Sequence, residues 1–87
     1  MIATEIYKKL REQNGDSYQL VVAIEELSEL AKEITKCLRN KGNLDHLAEE
    51  VADVEIVVDQ VKLIFNVQDK VEVARQIKLQ RLENGYR

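Results

Sequence analysis

Proline and tryptophan are absent from the chain, and it holds only one cysteine, three glycines and one phenylalanine among its 87 residues. With no proline, nothing forces a break in a helix, and three glycines leave few places for a sharp turn. A lone cysteine, Cys37, excludes an intramolecular disulfide. No apolar run approaches the roughly 20 residues a membrane span needs, and no signal-like segment opens the chain, so we expect a soluble cytoplasmic protein without a membrane partner. Excess positive charge is missing too. Thirteen basic side chains against 16 acidic ones give a net charge of −3, with the acids spread along the chain. A duplex binder presents a basic stripe, so a nucleic-acid partner is not expected.

What is present reads as helix. Leu, Ala, Glu, Lys and Gln dominate, and 45 % hydrophobic residues are too many for a disordered chain. A single domain of this size buries only roughly 60–65 % of its unfolded surface, so oligomerisation or a bound metal is the expected support.

The breakers divide the sequence into four helices. The first is expected from an N-cap at Thr4 to about Gln13, closed by Asn14-Gly15. Asp16 and Gln19 have capping-box spacing for a second helix, which runs to about Arg39. Asn40 to Asn43 interrupt, and Asn43 caps a third helix over Leu44 to Phe65. After a short connection, Asp69 with Glu72 suits the start of a fourth helix that fades near Asn84-Gly85. An all-α, up-down four-helix bundle spanning residues 1–87 is the expected fold.

On a helical wheel, the second helix gathers Leu20, Ile24, Leu27, Ala31, Ile34 and Leu38 into one apolar face, the expected core side. The third helix carries a stripe of Leu47, Val51, Val54, Val58, Val61 and Phe65, widened by Ile56, Val57, Leu63 and Ile64. So wide a surface points to a second subunit.

Two acidic pairs border these stripes: Glu26 with Glu29, and Glu50 with Asp53. Each has i,i+3 spacing, which sets two carboxylates about 60° apart on one flank. Helices joined by a short loop are antiparallel neighbours, so the pairs can face each other. The spacing admits two readings: solvated faces or interhelical salt bridges with Lys32 and Lys36, or convergence on a cation. Glu50 lies inside an apolar stripe, which favours the cation. An all-oxygen set suits Mg²⁺, or Mn²⁺, rather than Zn²⁺. His46, alone in the first turn of the third helix, reads as surface, and Cys37 as a small buried hydrophobe.

The segments AlaIleGluGluLeuSerGluLeuAlaLys (23–32) and LeuAlaGluGluValAlaAspValGluIleValVal (47–58) resemble the two signatures of the MazG-like, all-α nucleoside triphosphate pyrophosphohydrolases. That family shows Glu-x-x-Glu and then Glu-x-x-Asp, each in a hydrophobic helix. The resemblance covers nearly the whole chain and is nearest to the short single-domain members of bacteria and phages. It implies that Glu26, Glu29, Glu50 and Asp53 ligate Mg²⁺ and act in catalysis. It also implies hydrolysis of a (deoxy)nucleoside triphosphate to the monophosphate and pyrophosphate, by a homodimer or homotetramer. Relatives often carry a tryptophan before the first motif, at the base. Here Tyr18, Gln19 and Val22 occupy that region, with Gln19 the expected substrate contact. Lys78 and Arg81 resemble basic positions directed at phosphates. Two alternatives stand beside this reading. One is a phosphoribosyl-ATP pyrophosphohydrolase, disfavoured because Val54-Glu55-Ile56 follows Asp53 where those enzymes have Tyr-His. The other is a non-catalytic helical interaction module.

Overall fold

The structure, a computed structural model, describes residues 1–85. Four helices make up its regular structure: α1 (Ala3–Asn14), α2 (Asp16–Leu38), α3 (Leu44–Phe65) and α4 (Gln68–Glu83), with no strand among the described residues. The described residues are all-α, and no helix among them is long and apolar enough to cross a membrane.

The breakers act as the sequence suggests, and the details of the ends differ. Asn43 caps α3: its side-chain oxygen accepts from the backbone N–H of Asp45 at 2.8 Å and of His46 at 3.2 Å. Asn40 closes α2 in the left-handed conformation (φ +58°). There the Asn40 N–H donates to the Cys37 carbonyl and the Lys41 N–H to the Lys36 carbonyl. Asn66 repeats this device at the end of α3, with φ +52° and bonds from Asn66 N to Leu63 O and Val67 N to Lys62 O. These paired bonds satisfy the last carbonyls of each helix, and Asn tolerates the left-handed backbone better than other non-glycine residues.

Three expected caps are corrected. Thr4 lies inside α1, whose N-cap position is Ile2, without a side-chain cap. Asp16 and Gln19 form no capping box. Gly15, at φ +82°, takes the N-cap position of α2. The Asp16 carboxylate instead receives two hydrogen bonds from the Arg11 guanidinium, at 2.6 and 3.1 Å, clamping α1 against the start of α2. Asp69 does not cap α4 either: the helix starts one residue earlier, after Val67, and Asp69 contributes only first-turn charge.

The structural centre is the hairpin of α2 and α3. Glu33 accepts a hydrogen bond from the Asn43 N–H, Glu26 meets Glu50 and Asp53, and Gln19 shares a cleft with Gln60. Residue numbers falling on α2 as they rise on α3 define an antiparallel pair. Gly42 allows its tight closure. A Cβ there would stand 2.8 Å from the Cys37 N and 2.9 Å from its Cα, besides striking Sγ. α1 lies on α2, and α4 packs on α3.

The face of α2 turned toward α3 is not the one its apolar stripe predicts. Gln19, Ala23 and Glu33 are buried, and Glu26, Leu30 and Cys37 are half-buried. Ile24, Leu27, Ile34 and Leu38 stay 46–78 % exposed. Ala23 on α2 and Val57 on α3 are the two buried apolar residues among the described ones. Surface area shows how open the chain is: 7007 Å² is exposed, where a compact monomer of 10.1 kDa exposes about 5,300 Å². The radius of gyration is 15.5 Å, against about 12 Å for a compact 87-residue domain.

Candidate metal centre

Three of the four expected carboxylates converge. One ligand oxygen each from Glu26 on α2 and from Glu50 and Asp53 on α3 lie within 4.8 Å of one another. The cap at Asn43 fixes where α3 begins, and Glu50 follows two turns later, on the side facing α2. Asp53 is three residues further on, so it leans to the same flank. Glu26 falls one turn beyond the buried Ala23.

Electrostatics around this group are unbalanced. The Glu26 carboxyl is held above its ordinary proton affinity, first by burial, then by the charges of Asp53 and Glu50, a hydrogen bond with Asp53, and the charge of Glu29. Glu50 Oε2 is buried with no hydrogen-bond partner among the described residues. Among the described residues no ion pair involves the trio: the ion pairs of α2 and α3 are Arg11–Asp16, across from α1, and Lys32–Glu29, Lys36–Glu33 and Lys62–Asp59, each i,i+3 within a helix. A buried carboxylate oxygen left without donor or counter-charge is costly, and a hard cation held by oxygens removes that cost. The donor set therefore fits a divalent ion of the Mg²⁺ or Mn²⁺ kind.

Glu29 stands apart from the trio. It is exposed, and its Oε1 lies 3.4 Å from the Lys32 Nζ, so its charge reaches Glu26 while its carboxylate faces outward.

A cleft of about 320 Å³ opens beside Glu26 and Asp53. Tyr18, Gln19 and Val22, the three residues expected there, line it, together with Leu10 and Asn14 of α1 and Ile56, Val57 and Gln60 of α3. Gln19 and Gln60 are both 6 % exposed. Gln60 is missing from the sequence expectation, although a signal for it exists: it lies seven residues after Asp53, two turns along the same face. Lys78 and Arg81 are not brought to this place. Both are exposed on α4, and neither lines the cleft.

No family model, characterised protein or solved structure matches the chain.

Proposed function

We propose that the protein is a Mg²⁺-dependent pyrophosphohydrolase, acting in the cytoplasm as a homo-oligomer on a (deoxy)nucleoside triphosphate to give the monophosphate and pyrophosphate. The observation that carries this reading is the convergence of Glu26, Glu50 and Asp53 around a buried carboxylate oxygen with no partner.

Glu26, Glu50 and Asp53 would hold the ion, with Glu29 joining after turning from Lys32. When bound, Mg²⁺ supplies the charge that offsets the anionic oxygens of a polyphosphate and favours attack by water at phosphorus. The chain's own residues supply position. Ala23 and Val57 keep the two helices close enough for acids from both to share one point. The cleft beside Glu26 and Asp53 offers an apolar floor of Val22, Ile56 and Val57 with the amides of Gln19 and Gln60, a lining suited to a planar, hydrogen-bonding base. A nucleotide lying in it would direct its phosphates toward the carboxylates. This route depends on neither Lys78 nor Arg81.

The test is release of pyrophosphate. Purified protein with Mg²⁺ and a panel of nucleoside triphosphates should yield monophosphate and pyrophosphate by mass-resolved product analysis. Glu50→Gln should lower the rate at least 100-fold. Equal release by the variant, or no release from any member of the panel, overturns the proposal.

A further inference from the structure

Two glutamines line the cleft beside the carboxylates, Gln19 from α2 and Gln60 from α3. Both are buried, although an apolar side chain would fill the same space without the cost of taking an amide out of water. No side-chain hydrogen bond among the described residues uses either amide. Neither is sealed off as Glu50 Oε2 is, so both amides end where the cleft is open and their bonds are left for an occupant. Their places along the helices match. Gln19 precedes Glu26 by seven residues and Gln60 follows Asp53 by seven. On antiparallel helices these two steps run the same way, so both amides stand about 10 Å from the acids toward one end of the hairpin. That is the reach from the phosphates of a nucleotide to its base. Away from Glu26 and Asp53 no charged side chain lines the cleft. The polar side chains left there are the carboxamides of Gln19, Gln60 and Asn14 and the Tyr18 hydroxyl, and each can both donate and accept.

We propose that Gln60, together with Gln19, reads the hydrogen-bonding edge of the base with an amide free to turn over, so that the substrates are nucleoside triphosphates of amino and keto bases alike. This inference rests on the nucleotide reading above and adds which residues select the base. An amide locked by a neighbour presents its donor and its acceptor in one order and matches one base pattern. Turned over about its last bond, the same amide presents the opposite order. Uracil shows a keto acceptor beside a ring N–H, and cytosine shows an amino donor beside a ring acceptor, within the same outline. Amides that no neighbour holds can meet either one. A site with a fixed pattern instead rejects the mismatched base steeply, because its buried polar groups are then left unpaired.

Uridine and cytidine triphosphates isolate this edge, since the two bases share size and stacking surface. With Mg²⁺ at about pH 8, where a glutamate is ionised, their kcat/KM values for the unmodified chain should agree within about tenfold. Gln60→Glu leaves a carboxylate that only accepts. It should favour cytidine triphosphate over uridine triphosphate by about tenfold or more, the discrimination one paired base contact gives. Taking the ratio within one variant cancels any effect of the added charge on the metal. A larger ratio for the unmodified chain, or a smaller shift in the variant, overturns the proposal and leaves hydrolysis standing. Binding gives a readout that needs no hydrolysis. The side-chain NH₂ resonances of Gln60, assigned by their loss in Gln60→Leu, should move when the unmodified chain is titrated with UMP and, separately, with CMP. Movement with only one of them, or with neither, overturns the proposal. Movement with both but no pyrophosphate release from any triphosphate overturns the hydrolytic reading alone. If Gln60→Glu does not fold, the ratio for the unmodified chain and the titration decide.

Discussion

Glu26 is the side chain on which burial and crowded negative charge act together. Its folded proton affinity is raised, so the folded chain holds a proton there that the unfolded chain releases at lower pH. Stability from this group is complete below the unfolded value, about 4.3, and is lost as pH climbs through the higher folded value. In metal-free buffer, thermal melts should show stability falling over that interval. Glu26→Gln should flatten the slope and melt higher than the parent at neutral pH. With several millimolar Mg²⁺ the order should reverse, because the parent gains stability by binding and the variant has lost a ligand. A variant with the same pH slope and the same Mg²⁺ response as the parent would contradict this account. The spacing in the sequence was enough to find Glu26, Glu50 and Asp53, since an acid inside or beside an apolar stripe is conspicuous. It could not show that Glu29 turns to Lys32, a choice between rotamers that helical periodicity does not register.

Helix ends are the element-scale determinants of the site. Asn43 starts α3 and Gly42 admits the hairpin's closure against Cys37, so together they set how Glu50 and Asp53 face α2. Asn43→Ala removes two hydrogen bonds from the first turn and should cost about 1 kcal/mol. In a domain of this size that is a fall of roughly 4–8 °C in Tm. Gly42→Ala forces a methyl group against the backbone of Cys37 and should cost about 1–3 kcal/mol. Both are read by calorimetry. A Tm within 1 °C or so of the parent for either variant would remove that residue from the account. The glycine and asparagine breakers made the helix limits legible to within one or two residues. The caps were less so, because Asp16 had a stronger partner in Arg11 than in the backbone ahead of it.

For the whole molecule, the face of α2 was the part that sequence reasoning misplaced. Periodicity registers the total apolar surface that evolution has placed on a helix, summed over every neighbour it meets. It does not apportion that surface between neighbours. α3 takes the columns of Ala23, Glu26, Leu30, Glu33 and Cys37, where a small residue permits close approach, and leaves the larger side chains outward. In the homo-oligomer proposed above, the stability of each copy depends on encounter. Raising the chain concentration 100-fold should lift Tm by several degrees, since association draws the equilibrium toward the folded form. A melt unaffected by dilution across that range would assign the outward face some other role.

Glu26 belongs to one rod and Glu50 and Asp53 to another, and the five residues from Arg39 to Asn43 are all that join them. Neither rod alone assembles the trio, and bringing them side by side crowds like charges together. On the proposed Mg²⁺ site, a divalent cation would offset that crowding, and dilute, chelated buffer would leave it unscreened.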